Sequence, residues 1–189
     1  MKSSVLIVDD DKTIREELAG YLSSDYITYT ASNGREAIRN INENNDIEIV
    51  LSDLKMPEMD GIEMLKKIHD NNKDIVTIFM TGYSTIESAV EAMRRGAYDY
   101  LTKPLDLDKL EITIKNAIDN KKLRAENIML KQRIREKYDS VTLVGNSNQI
   151  SDIMELIRRV SSTKATVLVL GESGTGKELV ANVIHYNSS

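Results

Sequence analysis

The sequence predicts an α/β fold of the doubly wound type, in which a five-stranded parallel sheet is covered by helices on both faces. Short apolar runs rich in β-branched residues recur along the first part of the chain, as expected for strands that are buried on both sides. Stretches with helical periodicity lie between these runs. The regular alternation favours a right-handed parallel sheet, because each connecting helix then covers one sheet face.

The individual elements follow from these apolar patterns. Strands are predicted at residues 5–8, 27–30, 47–51, 75–79 and 97–101. Helices are predicted at residues 13–22, 34–42, 61–70 and 85–95, and a fifth helix is predicted to begin near Asp106. In a sheet of this kind the functional crevice lies beyond the carboxyl ends of the strands, so polar residues at those ends are the candidates for a site.

A second structural region follows the fifth strand. The helical pattern continues without Pro or Gly to Asp139, which is longer than a terminal helix requires. A further helix is predicted at residues 149–160, then an apolar strand at 166–170 and a glycine-rich turn. We therefore divide the chain into a first domain at 1–118, a helical linker at 119–139 and the start of a second domain at 140–189.

Composition excludes several classes of function. The formal net charge of −5 argues against this chain itself being a nucleic-acid-binding surface. The chain contains no cysteine, which excludes disulfide bonds and thiolate metal sites. His69 and His185 lie on separate helical patterns, so no catalytic triad is expected. Neither a signal-peptide pattern nor a membrane-spanning window occurs, and we expect a cytoplasmic protein without a membrane partner.

Three carboxylates follow strands of the predicted sheet. Asp9 and Asp10 come directly after the first strand, and Asp53 follows the third. Carboxylates that converge at one sheet edge repel each other strongly unless a cation lies between them. Mg²⁺ is the expected cation, because it is bound by a few oxygen ligands and keeps several waters.

Two further side chains equip the same edge for phosphoryl transfer. Thr81 ends the fourth strand and Lys103 follows the fifth, so the crevice gains a hydroxyl group and an ammonium group. Acids with Mg²⁺, a hydroxyl and an ammonium are suited to transferring a phosphoryl group to a carboxylate, where positioning and charge stabilisation provide most of the catalysis. Asp53 is the expected nucleophile.

The motif from Asp53 to Gly61, together with Lys103-Pro104, resembles the receiver domain of bacterial two-component response regulators, which has a flavodoxin-like (CheY-like) fold. The resemblance extends from Met1 to about Asn120 and covers every element of that fold. It implies that Asp53 accepts a phosphoryl group from the phosphohistidine of a sensor histidine kinase. It also implies that the receiver catalyses its own phosphorylation and dephosphorylation.

The same resemblance assigns roles to the neighbouring residues. Asp9, Asp10, Asp53 and the backbone carbonyl of Lys55 would bind Mg²⁺, Asp9 either directly or through water. Thr81 and Lys103 would contact the phosphoryl oxygens, and Tyr100 would be the aromatic switch residue whose rotamer reports their state. Lys103-Pro104 would carry a cis peptide bond.

A phosphate-binding loop is predicted in the second region. It follows a predicted strand, precedes a helical pattern, and consists of Gly171, Glu172, Ser173, Gly174, Thr175, Gly176 and Lys177. Its glycines would expose backbone N–H groups, and its lysine would reach the phosphates. Glu178 occupies the position where the general motif has Ser or Thr.

The stretch from Val144 to Glu178 resembles the opening of the AAA+ domain of sigma-54-dependent (NtrC-like) activators, in which glutamate at that position is usual. The resemblance implies ATP as a cofactor, and it implies sigma-54 RNA polymerase and DNA as partners through regions that the chain lacks. We expect residues 140–189 to form an incomplete P-loop α/β segment without ATPase activity of its own.

The linker has the pattern of a parallel dimeric coiled coil. With Leu123 and Leu130 at d positions, Asn127 and Ile134 fall at a positions, and one buried Asn favours a two-stranded register. The pattern therefore predicts a homodimer through the linker helix and the receiver. The alternative is a single amphipathic helix that lies back on its own receiver.

Two other functions compete with the response-regulator hypothesis. The spacing Asp9-x-Asp11-x-Thr13 after a strand fits a haloacid-dehalogenase-like phosphatase with Asp9 as nucleophile, but that function leaves Asp53 unexplained. The second alternative is a receiver-like interaction module that is not phosphorylated. Such modules usually lack one of the acids or the lysine, and here all of them are present.

Overall fold

The computed structural model describes residues 2–71, 74–82, 86–139 and 148–188. The chain divides into two compact units, Met1–Leu123 and Arg124–Ser189. Helix α5, at Leu107–Asp139, contains residues of both units. The predicted domain division at 1–118, 119–139 and 140–189 stays a prediction.

The first unit contains a five-stranded parallel sheet in the order β2-β1-β3-β4-β5. This confirms the predicted fold class. Its strands are β1 at Ser4–Val8, β2 at Ile27–Ala31, β3 at Ile47–Asp53, β4 at Val76–Thr81 and β5 at Asp99–Thr102.

Helices cover both faces of this sheet. They are α1 at Lys12–Leu22, α2 at Gly34–Glu43, α3 at Gly61–Asn71 and α4 at Ile86–Arg94, together with the first part of α5. One core contains Leu18 of α1 with Leu110 and Ile114 of α5. The other contains Ala37 of α2 and Met64 of α3. Burial of both faces explains why the central strands are almost entirely apolar in sequence.

Side-chain caps fix where α1 and α2 begin. Asp11 accepts hydrogen bonds from the backbone N–H groups of Thr13 and Ile14, so α1 begins at Lys12 and not at Thr13 as predicted. Asn33 caps α2, and Glu36 accepts hydrogen bonds from the backbone N–H and hydroxyl groups of Ser32. The Ser32 hydrogen bonds lower the pKa of Glu36 below its ordinary value. These caps fix the loops that follow β1 and β2.

Strand β5 begins two residues later than predicted, at Asp99 instead of residue 97. The preceding turn needs Gly96, which has a φ of 95° and lies so close to His69 that a Cβ there would be 2.6 Å from Cε1 of the ring. Ala97 donates its backbone N–H to the carbonyl of Ala92, so it is bonded to the C-terminal end of α4 and not to the sheet. His69 is thus a packing residue in this unit.

The second unit contains α6 at Asn148–Ser161 and α7 at Lys177–Asn187. The prediction of a strand at residues 166–170 is wrong, because this segment has no strand assignment and Leu168 and Leu170 are exposed. A strand requires backbone pairing with a neighbour, and the described part of this unit offers no second strand. The Val144-to-Ser147 part of the predicted motif lies outside the described residues.

Helix α5 continues to Asp139, as the sequence predicts. On its second half Leu123, Asn127, Ile128 and Leu130 are exposed. The side chain of Ile134 lies outside the described residues. Within the described ranges, no helix combines the length and apolarity needed to cross a bilayer.

Candidate functional site

The candidate site lies at the point where the strand order reverses. β1 has β2 on one side and β3 on the other, so the connections from β1 and β3 leave in different directions and open a crevice beyond their carboxyl ends. Asp9 and Asp10 follow β1, and Asp53 is the last residue of β3. The carboxylates of these three residues each place an oxygen within 4.8 Å of the others. The structure therefore brings together the three acids that the sequence singles out.

Lys103 joins two of these acids. Its ammonium nitrogen lies 2.6 Å from Oδ2 of Asp9 and 2.7 Å from Oδ2 of Asp53. Burial by itself would lower the pKa of Lys103, but its hydrogen bonds to Asp53 and Asp9 and the charges of these carboxylates outweigh that effect. The pKa of Lys103 therefore lies above its ordinary value, and the side chain is a cation at neutral pH.

Backbone donors orient the other oxygens of the two acids. Oδ1 of Asp9 accepts a hydrogen bond from the N–H of Asp11 at 3.0 Å, and Oδ1 of Asp53 accepts one from the N–H of Lys55 at 3.1 Å. Arg15 donates to the backbone carbonyl of Asp9 at 2.5 Å. Asp9 is fully buried, so these contacts hold a carboxylate that has little access to water.

The charges of the cluster fit a divalent cation. Three carboxylates and one ammonium leave two negative charges uncompensated in a partly buried crevice. Among the described residues, no hydrogen-bond donor reaches the carboxylate of exposed Asp10, so its oxygens face the crevice without a protein partner. An all-oxygen donor set with room for water suits Mg²⁺. Participation of the Lys55 carbonyl stays a prediction.

The two other residues predicted for this site, Thr81 and Tyr100, differ in burial. Thr81 is buried at the end of β4, and its carbonyl accepts the backbone N–H of Lys103 at 2.9 Å, so the two residues are held side by side. Tyr100 lies on the edge strand β5 with 37% of its surface exposed. The peptide bond between Lys103 and Pro104 is cis, as the resemblance implies.

The predicted phosphate loop lies between the end of the apolar segment and the start of α7. Lys177 donates hydrogen bonds to the carbonyls of Gly171 and Glu172, and Thr175 donates its hydroxyl to Glu172 at 2.8 Å. Gly174 and Gly176 have φ values of 83° and 81°, which favour glycine. The lysine is thus folded over its own loop at the N-terminal end of a helix, where backbone N–H groups are available to an anion.

An apolar cavity of about 420 Å³ adjoins this loop. Its walls come from α6, from residues 167–171 and from α7, and they include Ile157, Leu168 and Val180. Glu178 lies in the first turn of α7, directly after Lys177, and Ser173 is an exposed residue of the loop. The loop and cavity belong to the second unit and share no residue with the acid cluster.

Sequence reasoning missed two residues that support the acid cluster, Asp11 and Arg15. Asp11 was singled out only as part of a dehalogenase-like pattern, yet it caps α1 and orients Asp9. An aspartate directly before a helical pattern is a recognised cap signal and could have identified it. The Arg15 contact carries no signal in a single sequence, since many surface arginines have the same spacing.

Comparison with known proteins agrees with this architecture. Residues 5–115 match the response regulator receiver domain family, and residues 143–189 match the sigma-54 interaction domain family. Regulatory protein AtoC of Escherichia coli K12 is 38% identical over 185 residues, which is 97% of this chain and 40% of AtoC. Transcriptional regulatory protein ZraR of Klebsiella oxytoca is 39% identical over 186 residues, which is 98% of this chain and 41% of ZraR. The chain thus spans about 40% of the length of these relatives.

Similar solved structures match either the first part of the chain or the whole of it. A response regulator receiver domain protein from Clostridium thermocellum is 36% identical with a TM-score of 0.61, covering 64% of this chain and 98% of that protein. NtrX from Brucella abortus in complex with ATP is 33% identical with a TM-score of 0.66, covering 100% of this chain and 41% of NtrX. This chain therefore belongs to the response regulator receiver family, and the start of a sigma-54 interaction domain follows its receiver domain.

Proposed function

We propose that Asp53 is the phosphoryl acceptor of a two-component response regulator and receives its phosphoryl group from the phosphohistidine of a sensor histidine kinase. The observation that carries the proposal is the convergence of Asp9, Asp10 and Asp53 with Lys103 in one crevice. Among these acids, Asp53 lies at the end of the central strand β3 and is only partly buried, so a phosphoryl donor can reach it.

The chemistry of the step assigns a role to each residue. A carboxylate oxygen of Asp53 forms the new O–P bond while the P–N bond to the donor imidazole breaks, and the imidazole, which carries a proton from solvent on its other ring nitrogen, leaves as a neutral ring. Lys103 and the hydroxyl of Thr81 stabilise the negative oxygens of the transferring group. Mg²⁺, bound by Asp9, Asp10, Asp53 and the carbonyl of Lys55, would neutralise the remaining charge. The same groups would assist the hydrolysis of the Asp53 phosphate by water.

We further propose that phosphorylation controls a sigma-54-dependent transcription-activating ATPase, of which residues 140–189 are the first part. The match of residues 143–189 to the sigma-54 interaction domain supports this role, as does the similarity to NtrX, which is described in complex with ATP. The loop from Gly171 to Glu178 would contact the phosphates of ATP. Contacts with sigma-54 RNA polymerase and DNA would come from regions outside these residues.

A homodimer through the linker is part of the proposal. The exposure of Leu123 and Leu130 on an uninterrupted helix leaves an apolar seam that a second copy of the helix would cover. The alternative is a single amphipathic helix that lies back on its own receiver, and the mass of the chain in solution distinguishes the two arrangements.

The two competing functions differ in what they require. Two observations argue against the dehalogenase-like phosphatase. Asp11 caps α1, and residues 5–115 match the receiver family. An interaction module that is not phosphorylated would not need the Lys103 contact to both acids.

The experiment that tests the proposal is phosphorylation by acetyl phosphate, followed by intact-mass measurement. With Mg²⁺ the wild type should gain one phosphoryl group, and chelation of Mg²⁺ should abolish the gain. Asp53→Asn should gain none, whereas Asp70→Asn, which changes an exposed acid on α3, should behave as the wild type. A wild type that gains no phosphoryl group would favour the interaction module.

A further inference from the structure

The loop between β3 and α3 turns sharply at one residue. Glu58 has a φ of 64°, an unusual value for a residue with a side chain, and the N–H of Met59 donates to the carbonyl of Pro57 at 2.7 Å. This three-residue turn directs Met59 inward, where only 5% of its surface is exposed. Met59 packs in the core that contains Ala37 of α2. The loop that follows Asp53 is thus anchored in the interior by one side chain.

Gly34, the first residue of α2, lies against this anchor. A Cβ at position 34 would be 2.8 Å from Cγ of Met59 and 2.9 Å from its carbonyl oxygen. The N–H of Gly34 also donates to that carbonyl at 3.3 Å. Gly34 does not have a positive φ, so glycine is required here by lack of space and not by backbone conformation.

The other end of the loop is equally close-packed. Gly61 donates its N–H to the carbonyl of Leu54 at 3.0 Å, and a Cβ there would be 2.6 Å from the carbonyl oxygen of Asp53. The loop thus runs from Leu54 to Gly61, and Lys55 near its start holds Oδ1 of Asp53 through its N–H at 3.1 Å. Because the loop is close-packed at both Met59 and Gly61, we expect a displacement of Met59 to shift the earlier part of the loop, which contains Lys55.

We propose that the contact between Gly34 and Met59 is a positioning contact for the metal site, through which the N-terminal turn of α2 sets the place of Lys55 and the orientation of Asp53. Neither Gly34 nor Met59 belongs to the acid cluster. The inference rests on the proposed Mg²⁺ site. The affinity for Mg²⁺ would then depend on α2, a helix that supplies none of the ligands.

The test is the dissociation constant for Mg²⁺, measured by titration calorimetry of the full chain with MgCl₂. Gly34→Ala should bind Mg²⁺ about tenfold more weakly, the size of effect that residues supporting metal ligands usually have. Gly20→Ala is the matched control, because nothing lies within 4 Å of a Cβ at that position of α1. It should bind Mg²⁺ as the wild type does.

A second pair of variants separates positioning from loss of stability. Met59→Ala removes the anchor while keeping Gly34, and it should also weaken Mg²⁺ binding by about tenfold. Ile41→Val removes packing from the same core at a residue of α2 that is not part of the loop, so it should lower stability and leave the Mg²⁺ dissociation constant unchanged. If Gly34→Ala fails to fold, Met59→Ala and Ile41→Val test the inference without it.

The outcomes distinguish this inference from the function on which it rests. If the wild type binds Mg²⁺ but Gly34→Ala and Met59→Ala bind it equally well, the positioning role is wrong and the metal site stands. A loss of affinity in Ile41→Val equal to that in Met59→Ala would also overturn the positioning role. If the wild type binds no Mg²⁺ at all, both the metal site and the inference are wrong.

Discussion

The ammonium nitrogen of Lys103 lies 2.7 Å from Oδ2 of Asp53, although 50 positions separate the two residues in the chain. The fold creates this contact by placing the ends of β3 and β5 on the same edge of the sheet. Because Lys103 also bonds Asp9, one cation holds together two acids that would otherwise repel each other.

Replacing Lys103 should destabilise the protein in the absence of Mg²⁺. In Lys103→Met, Asp9 and Asp53 lose the ammonium that bonds both of them, so the free energy of unfolding should fall by about 2 to 3 kcal/mol, somewhat less than for a fully buried pair. Added Mg²⁺ should recover more stability in this variant than in the wild type. Urea unfolding followed by circular dichroism, with and without Mg²⁺, measures both effects.

The control for this prediction is Lys66→Met, which removes an exposed lysine from α3. Its unfolding curve should follow that of the wild type. Equal stability of Lys103→Met and Lys66→Met without Mg²⁺ would contradict the bridging role of Lys103.

Occupation of the site should change the surface around β5. Thr81 is buried and Tyr100 is 37% exposed, and we expect the phosphoryl mimic beryllofluoride to draw Thr81 toward Asp53 and Tyr100 inward. Such a ligand shifts the balance between two packings of the same elements. Hydrogen exchange with beryllofluoride and Mg²⁺ should therefore slow on α4, β5 and the first turns of α5. Asp53→Asn serves as the control, and unchanged exchange in the wild type would refute the switch.

Disrupting the linker seam should produce monomers. Leu130 is 57% exposed on α5, and placing a charge there would oppose pairing of two helices. Leu130→Asp should weaken the dimer by a factor of about ten or more, equivalent to at least about 1.4 kcal/mol. Sedimentation or light scattering at micromolar concentration gives the mass. Ala125→Asp, at an exposed f position on the side of the helix away from the seam, should stay dimeric. A wild type that is monomeric under these conditions would show that the coiled-coil prediction is wrong.

Most of the fold and the acid cluster could be predicted from sequence because both depend on local patterns. The apolar runs around Val5 and Ile49 define buried strands, and acids placed directly after such runs must meet at one edge. The length of α5 also followed from the absence of Pro and Gly before Asp139.

The errors and omissions concern contacts between distant segments. Residues 166–170 have the composition of a strand, but backbone pairing decides whether a strand forms, and no described partner is present. The close approach of Gly34 to Met59 and the positive φ of Glu58 depend on how two loops pack together. No periodicity in a single sequence encodes such contacts.

The central claim is that Asp53, and no other acid, carries the phosphoryl group. Chemical trapping tests it most directly, because borohydride reduces an aspartyl phosphate to homoserine and so marks the acceptor in the chain. After treatment with acetyl phosphate and Mg²⁺, peptide mass spectrometry should find homoserine in place of Asp53, with Asp9 and Asp10 unchanged. Homoserine in place of Asp9 would instead support the dehalogenase-like mechanism and would contradict the account given for Asp53.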